Sequence, residues 1–193
     1  NKDIKIDNKI LGNIDPKEIL NFHNLDLKIN NYLCTLDSEG KFKKVLFDNE
    51  MIKTSRAFTL TKLKNNVRII DSFIYREEES LFILTSIGRI FRFNLSNKCL
   101  KPTSKQSKGL LLTKLFPTEK IVSCCKSKEG EKVYLMSRRG KIYSINNEKI
   151  YLASDYGLGY LNENTLLKND FFINISSNNQ YLEIETNKNK SAR

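Results

Sequence analysis

The stretch TSIGRIFRFNL (Thr85–Leu95) decides the reading of this chain. A polar-then-glycine step at Ser86–Gly88 interrupts two apolar runs, which is a hairpin signal. After Gly88 the side chains alternate: Phe91, Phe93 and Leu95 against Arg92 and Asn94. Period-2 alternation belongs to a strand, and it sets the aromatics on one face and Arg92 on the other. Arg89 and Arg92 both fall on the second strand. A lone hairpin says little about function, so the decisive question is whether the pattern recurs.

It does. Gly40 closes NYLCTLDSEGKFKKVLF, Gly88 closes SLFILTSIGRIFRFNL, and Gly140 closes KVYLMSRRGKIYSIN. Asn189 stands at the same place in QYLEIETNKNKSAR, and Asn is the usual substitute where a turn requires positive φ. The spacings are 48, 52 and 49 residues. Seven positions before the turn the residues are Leu33, Leu81, Val133 and Leu182, all aliphatic. Three before it they are Asp37, Thr85, Ser137 and Thr186, all small and polar. One after it they are Lys41, Arg89, Lys141 and Lys190, all basic. Four after it they are Lys44, Arg92, Ser144 and Arg193.

A second half repeats as well. Ser55–Asp71 (SRAFTLTKLKNNVRIID) lies over Ser107–Ser123 (SKGLLLTKLFPTEKIVS), with Thr-Lys-Leu at 61–63 and again at 113–115. Gly157–Ile173 (GLGYLNENTLLKNDFFI) is a weaker third copy. Each unit reads as strand, turn, strand, basic loop, strand, turn, strand. Four strands per repeat of about 50 residues is the arithmetic of a propeller blade. The fold class expected is all-β and propeller-like, built from about four repeats in one domain spanning residues 1–193. Residues 16–27 (PKEILNFHNLDL) are the one candidate for a short helix. The pieces KDIKID and DLKIN before the first turn are expected to complete the last blade, or to leave the array open at a seam. The chain begins with Asn, which reads as an excised domain or a processed product.

Catalytic chemistry finds little support. His23 is the only histidine, and no nucleophile or carboxylate motif accompanies it. The four cysteines, Cys34, Cys99, Cys124 and Cys125, form no CxxC pair, so zinc is not expected and no other cofactor is implied. Adjacent Cys124 and Cys125 read as strand residues in a reducing compartment. The acidic run Glu77–Glu79 reads as a solvated loop, and GLGYLN at 157–162 as a turn. No stretch of 18 apolar residues and no signal architecture appear, which favours a soluble, intracellular protein without a membrane partner.

Charge is the positive clue. The chain carries 33 Lys and Arg against 22 Asp and Glu, a formal net charge of +11. Such a surplus favours a polyanion partner, although enrichment in Lys, Asn and Ile also fits an AT-biased genome. Lysines at strand edges can serve simply to prevent edge pairing. The functional reading is that a cation recurring once per blade builds a continuous stripe. The cations assigned to it are Lys41, Lys44, Arg56, Arg89, Arg92, Lys101, Lys105, Lys108, Arg138, Arg139, Lys141 and Lys190. A stripe of this kind neutralises phosphates without reading bases, and bound DNA must bend to follow it. An interaction propeller that binds protein in place of DNA is the alternative, marked by an apolar patch instead of a basic rim.

The units LFILTSIGRIFRFNL … SKQSKGLLLTKLFPTEKIVS and YLMSRRGKIYSI resemble blades of the C-terminal domain of gyrase A and of its topoisomerase IV counterpart. Lys105, Gln106, Lys108 and Gly109 fall on that family's basic stretch before an apolar strand, and Ser55, Arg56 and Ala57 on its degenerate copy. The resemblance spans about Asn31 to Arg193 and rests on repeated columns. It implies a β-pinwheel, a disc whose blades exchange strands and which binds and bends double-stranded DNA around a basic perimeter. It further implies a non-catalytic accessory domain of an ATP-dependent type II DNA topoisomerase, partnered by the enzyme's catalytic core and its ATPase subunit. A cytoplasmic, nucleoid-associated setting or a plastid-type organelle goes with it. The gyrase-type box rich in Gln, Arg and Gly is missing, with TSKQSKG (Thr103–Gly109) its nearest relative, which shifts the implication towards a topoisomerase IV-like or degenerate paralogue.

Overall fold

The computed structural model describes residues 20, 21, 23, 31–47, 59–75, 78–153, 159–161, 169–177, 184–185 and 191–192. The segments 2–7 and 26–30, most of the candidate helix at 16–27, and the turn residue Asn189 lie outside them. Among the described residues the only helical element is one 3-10 turn, Asn147–Lys149. None of their helices is long and apolar enough to cross a membrane.

Three β-hairpins form the frame: β1 (Asn31–Asp37) with β2 (Lys41–Phe47), β4 (Glu79–Thr85) with β5 (Arg89–Asn94), and β8 (Lys132–Ser137) with β9 (Ile142–Asn146). Each gains a third strand, antiparallel to its first: β3 (Ile69–Tyr75), β7 (Ile121–Lys128) and β11 (Phe172–Ser177). A fourth strand reaches back from the following repeat. β6 (Leu110–Leu111) leaves the second hairpin to pair with β2, and β10 (Tyr160–Leu161) leaves the third to pair with β5. The sheet orders are therefore β3-β1-β2-β6, β10-β5-β4-β7 and β11-β8-β9. A short fourth hairpin joins β12 (Ile184–Glu185) to β13 (Ser191–Ala192). The weaker third copy now has a register, since Gly159-Tyr160-Leu161 repeats Gly109-Leu110-Leu111 in position and pairing.

The turn columns have a physical basis. Gly40, Gly88 and Gly140 sit at φ of +87°, +85° and +81°, where a side chain is strained. Each glycine N–H donates to the carbonyl three residues back, on Asp37, Thr85 and Ser137. The side-chain oxygens of those same residues accept the N–H four residues on: Lys41 to Asp37 Oδ1 at 2.9 Å, Arg89 to Thr85 Oγ1 and Lys141 to Ser137 Oγ, both at 3.2 Å. That explains why the column admits Asp, Thr and Ser alike. The residues four before and two after the turn pair in all four hairpins: Leu36 with Phe42, Leu84 with Ile90, Met136 with Ile142, Glu185 with Ser191.

The middle sheet supplies two cores, one from each face. Leu81, Ile83, Phe91 and Phe93 pack with Cys34, Leu36, Phe42 and Phe73 of the first sheet. Phe82, Leu84 and Ile90 pack with Val133, Leu135, Phe172 and Ile175 of the third. Period-2 alternation along β4 and β5 thus feeds both neighbours, as sheets stacked around a propeller require. Full burial of each such side chain contributes roughly 1.5–3 kcal/mol. Arg92 pairs with Phe82, on the face opposite Phe91 and Phe93, as the alternation predicts.

Candidate nucleic-acid interface

The recurring cations divide into buried and exposed sets. Arg89 is 3% exposed. Its Nε donates to Glu119 Oε1 at 2.9 Å and its Nη2 to Glu119 Oε2 at 2.5 Å, and the guanidinium lies over the Phe116 and Phe91 rings. Lys44 is 1% exposed. Its Nζ donates to the carbonyls of Leu95 and Leu100 and rests 4.2 Å and 4.9 Å from the ring centroids of Tyr75 and Tyr32. Arg92, half-buried, repeats that role one blade on: Nη1 donates to the Asn147 carbonyl at 3.4 Å and Nε to Ser80 Oγ at 3.3 Å. Leu95 and Asn147 both lie seven residues after their turn glycines. The cation four after a turn is therefore a clamp onto the next repeat.

These positions correct the expected stripe. Arg89 and Lys44 face inward, not towards solvent, because each shares its strand face with a residue of the core between the first two sheets, Phe91 and Phe42 respectively. Lys41 and Arg92 are half-buried. Arg56 and Lys190 lie outside the described residues. Six of the assigned cations are exposed: Lys101, Lys105, Lys108, Arg138, Arg139 and Lys141.

Lys101, Lys105 and Lys108 sit on the loop from β5 to β6, which runs along the outer edge of β2. The Thr103 N–H donates to the Lys44 carbonyl at 2.7 Å. Gly109, at φ +78°, presses so close that an added Cβ would lie 2.9 Å from the Phe42 carbonyl oxygen. Beneath this loop the buried Lys43 ammonium donates to the carbonyls of both Lys105 and Leu60. Burial holds the Lys43 pKa below its ordinary value. One internal ammonium thus ties the 101–109 loop to the 60–64 segment, whose Lys62 and Lys64 are also exposed. The two segments so tied carry five exposed lysines, Lys62, Lys64, Lys101, Lys105 and Lys108. Lys62 and Lys64 were not singled out from the sequence, yet the repeated Thr-Lys-Leu triplet marked Lys62.

Arg138, Arg139 and Lys141 belong to the third hairpin turn. There Asp170 accepts from Ser137 Oγ at 2.8 Å and from the Arg139 N–H at 3.2 Å. Asp170 occupies the place that Glu119 takes at the second hairpin, just before the third strand. Burial would raise both carboxyls. Hydrogen bonds, from Arg89, Thr85 and Phe116 to Glu119 and from Ser137, Arg139 and Phe171 to Asp170, outweigh it and hold them below the usual range.

His23 Nε2 lies 2.8 Å from Ser72 Oγ, and burial lowers its pKa, so the imidazole is neutral at pH 7. Burial pushes the Cys34 and Cys125 thiols to about 12 and raises Cys124 as well, which leaves no thiolate nucleophile there. Cys124 and Cys125 are successive residues of β7. No group of three or more His, Cys, Asp or Glu among the described residues is placed to hold a metal.

Repeated four-stranded units with strands lent to the preceding sheet define a β-pinwheel. Solved structures of that class match this chain: the C-terminal domain of DNA topoisomerase IV, with a TM-score of 0.72 and 19% identity over 88% of this chain and 53% of that one; the C-terminal domain of DNA gyrase A, at 0.57 and 21% over 81% and 55%; and the E. coli ParC C-terminal domain, at 0.55 and 11% over 76% and 62%. In sequence, 109 residues are 28% identical to the DNA gyrase A protein of Metamycoplasma arthritidis, covering 56% of this chain and 12% of that protein. No family model matches. The chain thus spans little over half of the solved domains and a small part of the curated relative. The resemblance read from the repeated columns is borne out, and the fold is that of gyrase A and topoisomerase IV C-terminal domains.

Proposed function

We propose that this chain is the accessory domain of a type IIA topoisomerase of the gyrase A and topoisomerase IV kind. In this reading it binds duplex DNA through its phosphates, without reading sequence, so as to bend it. The observation that carries this reading is the set of exposed lysines Lys62, Lys64, Lys101, Lys105 and Lys108, on two segments whose backbones the buried Lys43 ties together. The third-turn cations Arg138, Arg139 and Lys141 add a second set. The fold likeness and the sequence likeness to a gyrase A protein support the topoisomerase setting. Point-like ammonium groups on exposed loops suit phosphate neutralisation and carry no base code. Its partners are DNA, the catalytic core to which the domain is attached, and the ATPase subunit. Fluorescence anisotropy on two unrelated duplexes across a salt series tests the DNA reading. Equal affinities that fall steeply with salt support it, and salt-insensitive or absent binding refutes it.

A further inference from the structure

The hairpin turns form a connected edge with a character unlike the loop that carries Lys101, Lys105 and Lys108. The Ile121 N–H, at the base of the second turn, donates to the Ser38 carbonyl of the first at 3.0 Å. Ser86 in the second turn donates its N–H to the Lys120 carbonyl at 2.8 Å, and Arg138 in the third donates likewise to Phe171 at 2.9 Å. A Cβ on Gly88 would stand 3.7 Å from Phe172, so the second turn abuts the base of the third. Along this edge large apolar side chains reach solvent: Ile87 is 54% exposed, Phe116 50% and Phe171 43%. Single exposed hydrophobics are ordinary, but three along one connected edge form a patch.

Cations surround it. Lys114 and Lys120 are exposed beside Phe116, and the Arg138 guanidinium lies 5.6 Å from the Phe171 ring centroid. The carboxylates at the second and third turns are engaged within the fold, Glu119 by Arg89 and Asp170 by Ser137. An apolar centre with a charged rim is the anatomy of a protein interface. Phosphate gains nothing from Ile87 or Phe116, whereas an apolar partner surface does. We infer that the turn edge around Ile87 and Phe116 docks an acidic amphipathic segment of another protein, at a place distinct from the loop that carries Lys101 and Lys105.

The probe is a fluorescent peptide with Leu and Phe at helical spacing and Glu between them, titrated into the full chain, with poly-Glu of equal length and duplex DNA in parallel. The peptide is expected to bind about tenfold more tightly than poly-Glu. Ile87→Ser should weaken the peptide about fivefold and leave DNA unchanged, and Lys120→Glu should weaken the peptide further. Lys101→Glu with Lys105→Glu should weaken DNA and spare the peptide. No peptide binding, equal binding of poly-Glu, or a loss of DNA equal to that of peptide in Ile87→Ser would overturn the inference, the last by making the edge part of the DNA surface. Circular dichroism of each variant separates a docking loss from a folding loss, and Lys120→Glu carries the test should Ile87→Ser not fold.

Discussion

Arg89 grips Glu119 in a two-point ion pair that closes the second hairpin onto the strand after it, with both side chains almost wholly out of water. Removing one partner leaves the other charge buried, so Glu119→Gln is expected to lose about 3 kcal/mol of stability. Glu119 titrates below its ordinary range in the fold. Its contribution is therefore present above the ordinary glutamate pKa of about 4.3 and fades as pH falls through the lower folded value. Urea unfolding of both proteins should show a gap that is full at pH 7 and narrows below about pH 4. A gap constant with pH contradicts the assignment.

Lys44 clamps the first sheet to the segment after β5 by its bonds to the Leu95 and Leu100 carbonyls. Lys44→Met keeps most of the stem and removes the charge. It should lower stability by about 2 kcal/mol, as loss of charged hydrogen bonds does, while DNA affinity of the folded protein stays close to that of the parent. Thermal unfolding run beside a binding titration separates these effects. A large loss of affinity without a loss of stability would restore Lys44 to the DNA surface.

Two glycines at similar φ make a paired prediction. Gly140, at +81°, has nothing within 4 Å of an added Cβ, so Gly140→Ala suffers only backbone strain of about 1 kcal/mol. Gly109, at +78°, would also drive its Cβ against the Phe42 carbonyl oxygen. Gly109→Ala should therefore lower the melting temperature more than Gly140→Ala, and equal losses would contradict the close approach.

The turn columns made the hairpins legible, because glycine at positive φ and a short polar acceptor three residues earlier are local requirements that every copy must meet. The alternation of Phe91 and Phe93 with Arg92 likewise gave the right faces. What it could not give was that Arg89 and Lys44, on the same strand faces as Phe91 and Phe42, find buried partners there in Glu119 and in the Leu95 and Leu100 carbonyls, so both looked like surface charge. A partner signal was present: Glu119 and Asp170 stand 31 and 30 residues after Gly88 and Gly140, each at the same structural place. The strand exchange of β6 and β10 rests on two-residue pairings, too short for a periodic signal. The tie between the segments that carry Lys62 and Lys105 depends on the tertiary contacts of Lys43, to which spacing alone is blind.

The most direct test of the DNA reading is the salt dependence of duplex binding by the parent and by Lys101→Glu/Lys105→Glu/Lys108→Glu. These side chains are on an exposed loop, so stability should change by no more than about 0.5 kcal/mol per site. The triple variant should bind unrelated duplexes equally weakly, with the slope of log affinity against log salt shallower by about 3. An unchanged slope and affinity in a folded triple variant would contradict the account.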